Sequence, residues 1–305
     1  MNRHRFKPPK QNTLFQLLAK FLSCRLILQF RRLLMRCIPF MRLESQVKDI
    51  VYLSWLVDVE QVRQHYPSDV PLWEKQGKTI FTILTYQHQH FGFRFLGGLR
   101  QWMPSPQQSN WRFYLDHTYP KTVIFEQVLL DQYLYVIGGR LASDVMPAQY
   151  APVFQHQFNP QQQSIQTDVF VDTDYSFNSD VKMIQEKTLT PTWQQMFDSW
   201  DEAVQFLVDQ DHAWAEWVDR PECISQGDIE MPVQYEDIRA AQILSLHAPA
   251  LLKKFGVESD TNAFAFVVPA LDFHVLGERF LKNRTKLWIT LCLYTVLSCL
   301  KNMLF

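Results

Sequence analysis

The residues with the clearest chemical potential lie at 110–115, where the sequence Asn-Trp-Arg-Phe-Tyr-Leu places an arginine inside an aromatic run typical of a β-strand. Alternation along a strand puts Asn110, Arg112 and Tyr114 on one face. An arginine on an inward face must be paired, and its planar fork fits a carboxylate. The sequence therefore predicts a site for an organic anion centred on Arg112.

An internal ion pair is the alternative role for this arginine. Charged groups that are buried in proteins usually have a partner of opposite sign. The sequence offers three acidic candidates, namely Asp116, Glu126 and Asp144. If one of them binds Arg112, the guanidinium is a structural group and is not available to a ligand.

Two histidines separated by one residue, His88 and His90, form a second candidate constellation. On a regular strand both imidazoles would share one face, a spacing at which a strand supplies two metal ligands. A metal site needs a third ligand, for which His117 and Glu126 are the candidates. Because nothing in the sequence demands that ligand, we expect polar strand residues here and no metal.

Charge is distributed unevenly along the 305 residues. Residues 1–43 contain ten basic residues and no acidic one, which leaves 20 basic and 31 acidic residues in the rest of the chain. Such an arm favours contact with an anionic membrane surface, whereas the acidic remainder argues against a nucleic-acid partner. The five cysteines form no CxxC pair and no metal spacing, which favours a reducing compartment.

Both ends of the chain combine apolar and basic residues. Residues 13–38 have apolar side chains at helical spacing, which predicts one basic amphipathic helix that ends before Pro39. This helix either lies on an anionic bilayer, with leucines in the lipid and arginines at the phosphates, or packs against protein. Residues 287–300 are uncharged and follow three basic residues, so they are a candidate for a short membrane anchor with the body in the cytoplasm.

Strand signals dominate the body of the chain. Runs rich in apolar, β-branched and aromatic residues predict strands at 51–57, 78–92, 111–117, 122–129, 134–137, 168–171, 181–184 and 264–275. Helices are predicted after an N-cap at Asp58, at 199–209 and at 237–255. Since few long helices separate the strands, we expect a mostly antiparallel sheet. The sequence has no Gly-rich phosphate loop, and no cofactor is expected.

Several motifs of the body occur in a recognisable order. They are an apolar strand with a tryptophan that leads into a helix and a proline (55–67), an Asn-x-Arg-x-Tyr strand (110–115), an apolar strand (123–125), Arg140, and a Met-Pro turn (146–147). Together they resemble an uncharacterised bacterial domain family of the acetoacetate decarboxylase-like superfamily. The resemblance covers about residues 45–276. It implies a β-rich, cone-shaped antiparallel barrel with flanking helices and a cavity near the arginine. A glutamate often precedes the Asn-x-Arg strand in that family, whereas Gln107, Gln108 and Ser109 stand here.

The resemblance also raises the question of a catalytic lysine. Acetoacetate decarboxylase acts through a lysine that must be neutral to form a Schiff base. Residues 119–121, Tyr-Pro-Lys, are similar to the aromatic-Pro-Lys-Lys of that enzyme, but Thr122 replaces the second lysine. This replacement removes the neighbouring cation that would lower the pKa of Lys121. Lys121 is therefore the catalytic candidate only of an enzymatic alternative.

The sequence thus predicts a basic helical extension at 1–43, an acetoacetate decarboxylase-like barrel domain at 44–280, and an apolar C-terminal helix at 281–305. We expect an α+β, β-rich protein of the cytoplasm, associated with the inner membrane, that binds a small organic anion. The predicted ligand-binding residues are Asn110, Arg112, Tyr114, Glu126 and Arg140. The alternatives are a Schiff-base lyase or decarboxylase that acts on a keto acid through Lys121, and a non-catalytic structural or interaction module.

Overall fold

The computed structural model describes residues 4–8, 13–66, 70–257 and 263–281. The strands are β1 (Leu43–Asp58), β2 (Lys78–Phe93), β3 (Gln107–Tyr114), β4 (Thr122–Leu130), β5 (Gln149–Tyr150), β6 (Val153–Asn159), β7 (Ser164–Phe170), β8 (Ser176–Ile184), β9 (His212–Glu216), β10 (Ile224–Glu230), β11 (Arg239–His247) and β12 (Phe264–Leu281). The helices are α1 (Thr13–Leu22), α2 (Arg25–Cys37), α3 (Val59–Arg63), α4 (Tyr133–Ala142), α5 (Pro191–Gln194), α6 (Trp200–Val208) and α7 (Leu251–Lys254), with 3-10 helices at Arg94–Trp102 and Tyr235–Asp237. Of the predicted C-terminal helix, residues 282–305 lie outside the described residues.

Strand β1 closes the sheet into a ring. It pairs antiparallel with β2 along one edge and with β12 along the other. The ring continues from β2 through β3, β4, β9 and β10 to β12. Most pairs are antiparallel, although β4 pairs in parallel with β5 and β9. The predicted β-rich, mostly antiparallel barrel with flanking helices is confirmed.

The ring has a packed core on each of its two faces. From β12 the sheet continues through β11, β8, β7 and β6, and this extension covers part of the outer face. There the ring centroids of Trp111 and Phe177 are 5.8 Å apart. On the inner face, Tyr114 packs in the same cluster as Leu207 of α6. Alternation along β3 therefore assigns its side chains to two different environments.

The strand predicted at 134–137 is wrong, because these residues belong to helix α4. Four apolar residues do not distinguish a strand from one turn of a buried helix. The sheet topology explains why residues 134–137 form a helix, because β4 and β5 on either side of them pair in parallel. A parallel pair needs a crossover connection, and this connection is usually helical.

The helix predicted at 237–255 is also wrong over most of its length. Strand β11 occupies the first half, and only the short helix α7 follows. Ala, Gln and Leu favour a helix here. Pairing with β8 along most of the strand, and with β12 at Arg239 and Ala240, gives the backbone partners in the sheet, and this tertiary context overrides the local preference.

The single helix predicted at 13–38 is two helices, α1 and α2, which separate at Ser23 and Cys24. Two arginines of α2 are buried against the body. Arg32 binds Asp144 through Nε and Nη2 at 2.8 and 2.9 Å, and binds Asp219 through Nη2 at 2.6 Å. Burial opposes the charge of Arg32, but the hydrogen bonds to the two carboxylates outweigh it and raise its pKa. Arg31 adds an ion pair to Asp144.

Because of these ion pairs, the charged side of α2 that contains Arg31 and Arg32 faces the body of the protein. Arg31 and Arg32 face the protein, whereas Leu26 is 76% exposed and Phe30 and Leu33 are exposed as well. The arrangement expected on a bilayer, with the arginines at the phosphates, is therefore wrong for these two arginines. Within the described residues, no helix has both the length and the apolar character that crossing a bilayer requires.

We predict that Arg32→Met lowers the free energy of unfolding by about 3 kcal/mol, because it leaves two buried carboxylates without their main partner. The matched control is Arg25→Met in the same helix, where the side chain is exposed and a change within about 0.5 kcal/mol is expected. Urea unfolding followed by tryptophan fluorescence measures both. Equal effects of the two substitutions would show that the ion pairs do not hold α2 in place.

Candidate functional site

A cavity of about 590 Å³ lies inside the ring of strands. This volume is in the range of sites for small molecules. Most of its wall is apolar and comes from the inner faces of β1, β2, β4 and β12. Polar side chains from three neighbouring strands, β1, β2 and β3, lie along one part of the wall, and they are Tyr52, Tyr86, Gln108, Asn110 and Arg112. A second polar group lines the cavity from α2, from the end of α4 and from β12, and it consists of Arg31, Arg32, Arg36, Ser143, Asp144, Glu278 and Arg279.

Arg112 is 2% exposed and lines this cavity. Its Nη2 donates to the carbonyl of Leu207 at 2.9 Å and to the hydroxyl of Tyr114 at 3.3 Å. Its Nε is buried and has no hydrogen-bond partner in the part of the chain that the structure describes. The guanidinium thus keeps part of its donor set unused at the cavity wall.

Within the described residues, no carboxylate forms an ion pair with Arg112. The three predicted partners are bound elsewhere. Glu126 accepts from Tyr66 at 2.6 Å and from Tyr175 at 3.0 Å on the outer side of the ring. Asp144 binds the arginines of α2, and Asp116 binds Thr118. The internal ion pair that was the alternative role for Arg112 is therefore wrong for the described structure.

Aromatic rings surround the guanidinium instead. Its carbon lies 5.3 Å from the ring centroid of Tyr114 and 5.7 Å from that of Tyr52. Burial raises the pKa of Tyr52 to about 12, although Arg112 opposes the shift. The Tyr52 hydroxyl is consequently neutral at physiological pH and cannot serve as a counter-ion. Among the described residues, ring faces and dipoles stabilise the positive charge.

A chain of neutral polar groups continues from the arginine along the cavity wall. Asn110 donates to the Tyr86 hydroxyl at 3.0 Å, and Gln108 donates to Asn110 at 2.8 Å. The carbonyl oxygen of Gln108 lies 3.1 Å from Nε2 of His88, whose Nδ1 lies 3.0 Å from the Ser45 hydroxyl. Because Gln108 uses its amide to donate, its oxygen accepts from His88. These hydrogen bonds hold the polar side chains of the wall in place, and all the groups involved are neutral.

The other predicted ligand-binding residues lie in three different places. Asn110 lines the cavity with Arg112, and Tyr114 contacts the guanidinium from the same strand face. Glu126 lies on the outer side of the ring because β4 has an irregularity opposite Trp111 and Arg112 that turns this residue outward. The structure therefore brings Asn110, Arg112 and Tyr114 together and separates Glu126 from them.

Arg140 is buried in α4 and does not line the cavity. Its guanidinium donates to the carbonyls of Pro147 and Ala148 at 2.9 and 2.5 Å, and to that of His4 at 2.8 Å. Burial lowers its pKa to about 9, so it is still charged at neutral pH. These contacts fasten α4 to the segment that leads into β5, which is a structural role.

Lys121 lies outside the cavity. Its amine forms a 2.8 Å ion pair with Asp209, and the side chain is 49% exposed. The hydrogen bond to Asp209 raises the pKa of Lys121. The residue borders a separate, more open pocket of about 310 Å³ beside α6. Its surroundings therefore favour the protonated form, whereas a Schiff-base lysine must be neutral.

His88 and His90 do not share a strand face. His88 is fully buried beside Gln108, whereas His90 has a positive φ of 52° and an exposed side chain. This left-handed residue breaks the alternation that the spacing assumed. The described residues contain no group of three or more potential metal ligands.

Sequence reasoning missed Tyr52, Tyr86 and Gln108. Alternation along β1 places Tyr52 with Ser54, but only the pairing shows which face is inward. Tyr86 and Gln108 are direct partners across β2 and β3, and this register cannot be read from either segment alone. Side-chain alternation along β1, β2 and β3 would have identified these three residues only if the strand order had also been known.

Comparisons with known proteins agree with the fold. Residues 44–249 match the DUF2071 family, described as an uncharacterised conserved protein. No curated protein matches the chain. Among solved structures, the enduracididine biosynthesis enzyme MppR is similar at a TM-score of 0.56 and 14% identity, over 81% of this chain and 90% of that one. Acetoacetate decarboxylase from Legionella pneumophila is similar at a TM-score of 0.55 and 9% identity, over 81% and 90%. An acetoacetate decarboxylase-like enzyme from Sphingomonas wittichii has a TM-score of 0.51 and 11% identity, over 79% and 93%.

The buried histidine of the polar chain predicts a pH dependence of stability. Burial lowers the pKa of His88 to about 4, although the hydrogen bond with Gln108 opposes the shift. Between pH 6.5 and 4 the unfolded chain binds a proton that the folded chain does not, so stability falls as the pH falls through this window. We predict that His88→Asn reduces the slope of unfolding free energy against pH there by up to about 1.4 kcal/mol per pH unit.

His117→Asn is the matched control, because His117 is exposed and its removal should leave the slope unchanged. Urea unfolding at half-unit pH steps gives the slopes. A His88→Asn slope equal to that of the wild type would contradict the assignment of a neutral buried imidazole.

Proposed function

Since the chain belongs to the DUF2071 family and has the fold of acetoacetate decarboxylase-like proteins, we propose that it binds an organic anion at Arg112 inside the ring of strands. One observation carries the proposal. A guanidinium that is 2% exposed lines a cavity of about 590 Å³ and, within the described residues, has no carboxylate partner.

The energetics explain why this observation points to a ligand. Leaving a buried charge without a partner costs several kcal/mol. An arginine retained only for packing would be replaced at no loss by an apolar side chain of similar size. A carboxylate ligand would supply the missing charge and accept hydrogen bonds in the bidentate geometry that a guanidinium favours. The apolar walls would strengthen that attraction by excluding water.

The similar structures support a small organic anion as the ligand class. MppR has been solved with pyruvate bound, which is a small carboxylate. That enzyme is 13% identical to this chain, so the fold is shared and the ligand of this chain is a proposal. In the proposed mode the carboxylate meets Arg112, and Tyr86 and Asn110 supply further polar contacts at the same wall.

A binding function fits the cavity better than Schiff-base catalysis. No described lysine lines the cavity, and Lys121 borders a different pocket with a raised pKa. Among the described residues, the Schiff-base lyase therefore has no lysine nucleophile beside the proposed anion. It is the alternative that a direct test must exclude.

We also propose a cytoplasmic location on the inner membrane. Cys24, Cys37 and Cys223 are free thiols, which suits a reducing compartment. The basic N-terminal arm supports contact with an anionic surface. The exposed side of α2 is apolar, so this contact would involve its apolar side chains and not Arg31 and Arg32.

We predict that Arg112→Met weakens the binding of hexanoate at least tenfold, because a charge-assisted pair is lost. Isothermal titration calorimetry measures this, with hexanamide as the uncharged control ligand that should bind both proteins alike. The same substitution should not lower the free energy of unfolding, since the Leu207 carbonyl keeps its hydrogen bond from Tyr114 at 3.2 Å.

Arg140→Met is the matched control for replacing a buried arginine. It leaves three buried carbonyls without their donor, and we expect a loss of stability of about 2–3 kcal/mol with hexanoate affinity retained. If Arg112→Met binds hexanoate as tightly as the wild type, Arg112 is not the anchor of the site.

A separate prediction concerns the enzymatic alternative. Incubation with pyruvate and sodium borohydride should leave Lys121 unmodified at neutral pH, because its ion pair with Asp209 keeps the amine protonated. Intact-protein mass spectrometry with peptide mapping measures the adduct. A stoichiometric adduct on Lys121 that is absent from Lys121→Arg would favour the lyase over the binding protein.

A further inference from the structure

The cavity opens to the surface between the end of α2 and the segment that leads into β1. Eight residues both line the cavity and are exposed, and they mark this opening: Met35, Arg36, Ile38, Pro39, Phe40, Met41, Ala142 and Arg279. Six of the eight are apolar, and the other two are arginines. The entrance to the proposed anion site is therefore surrounded mainly by hydrophobic groups that face solvent.

The 3-10 helix at Arg94–Trp102 extends this hydrophobic surface. Its first backbone N–H, from Arg94, donates to the carbonyl of Arg42 at 2.9 Å and thereby places the helix beside the opening. Phe95 is 70% exposed and stacks on Phe93, which lines the cavity. Trp102 is 77% exposed. We call Met35, Ile38, Phe40, Met41, Phe95 and Trp102 the rim surface.

Exposed apolar side chains grouped beside a cavity opening mark an interaction site. Its charge indicates the partner. Arg36 and Arg42 are exposed next to the opening, and Lys20 and Arg25 are exposed on the same two terminal helices. None of the four forms an ion pair within the described residues. Exposed apolar side chains with an interfacial tryptophan and flanking cations are the composition that binds the surface of an anionic bilayer.

The interior between the opening and Arg112 is long and apolar. Leu43 and Tyr52 of β1 both line the cavity, Leu43 at the opening and Tyr52 beside Arg112. They are nine residues apart, which is at most about 30 Å along a strand and at most about 23 Å along the axis at a tilt of about 40°, because β1 has two irregularities between them. An alkyl chain of 12 carbons extends less than about 18 Å. The wall between is formed by apolar side chains that include Val47, Ile50, Leu84 and Leu271.

From this geometry we infer that the ligand is a single-chain amphiphilic acid that enters from an anionic lipid bilayer on which the rim surface lies. The acid group is held by Arg112 and the alkyl chain occupies the apolar length of the cavity. The inference rests on the proposed anion site and adds the chemical class of the ligand and its source. Each part has its own measurement.

The first measurement is the affinity for butanoate, octanoate and dodecanoate below their micelle concentrations, by isothermal titration calorimetry. Full burial of each methylene group increases affinity about fourfold, so we expect at least a tenfold gain for every four carbons. Arg112→Gln should weaken dodecanoate binding at least tenfold. Equal affinity along the series with the arginine effect intact would overturn the inference and leave the proposed function standing. An absent arginine effect would overturn the proposed function itself.

The second measurement is co-sedimentation of the full chain with vesicles of phosphatidylcholine alone or with phosphatidylglycerol. We expect binding that requires phosphatidylglycerol, weakens with salt, and falls at least tenfold in the double variant Phe40→Ser, Trp102→Ser. The matched control is Phe170→Ser, Leu244→Ser, which removes two exposed apolar side chains from β7 and β11. It should bind as the wild type does.

Unchanged vesicle binding of the Phe40→Ser, Trp102→Ser variant would overturn the inference, because the lipid contact would then lie elsewhere in the chain, for example at residues 287–300. Sedimentation equilibrium tests whether a second copy of the chain, and not a bilayer, covers the rim surface. A wild-type dimer that this variant converts to a monomer would show that a second copy of the chain covers the rim surface, which also overturns the inference. In every case urea unfolding of each variant confirms that the fold is retained.

Discussion

The pairing of β1 with both β2 and β12 is the constraint on which the rest of the structure depends. It converts a sheet with two edges into a ring with an inside and an outside. Once the ring is closed, alternation along each strand assigns every second side chain to the interior. Arg112 and Trp111 are neighbours in sequence, yet one lines a cavity and the other lies in the outer core. The anion site follows from this closure, since no single strand could surround the guanidinium.

Three buried arginines show that the positive charge of a guanidinium group can be stabilised by very different partners. Arg32 meets two carboxylates, and Arg140 meets three backbone carbonyls. Arg112 meets one carbonyl, one hydroxyl and the faces of aromatic rings, with no carboxylate among the described residues. All three residues are almost fully buried, so the difference between them lies in the partners. Only the third arrangement leaves a net charge beside an open volume, which is why its role is interpreted as binding and not as packing.

Local sequence features predicted the elements whose stability is local. Asp58 was predicted as an N-cap, and its carboxylate accepts from the backbone of Glu60 and Gln61. The alternation of residues 110–115 separated Asn110, Arg112 and Tyr114 from their aromatic neighbours, as observed.

Predictions failed where distant pairing decides the structure. Strand β11 forms because β8 and β12 are available to it, although its residues favour a helix. The polarity of α2 was inverted for the same reason, because Asp144 and Asp219 lie more than 100 residues from the arginines they bind. Sequence spacing revealed which residues of α2 are charged, but not where their partners are.

The ion pairs of α2 also determine which of its side chains face solvent. If Arg31 and Arg32 faced solvent, Leu26, Phe30 and Leu33 of this helix would pack inward. Because both arginines are held by carboxylates of the body, the apolar side of α2 has to face outward. Both carboxylates and Arg112 lie within the matched range 44–249, whereas α2 precedes it. The family domain thus supplies Arg112 and the carboxylates that hold α2, whereas Met35 of α2 and the segment at residues 38–41 contribute apolar side chains to the entrance of the cavity.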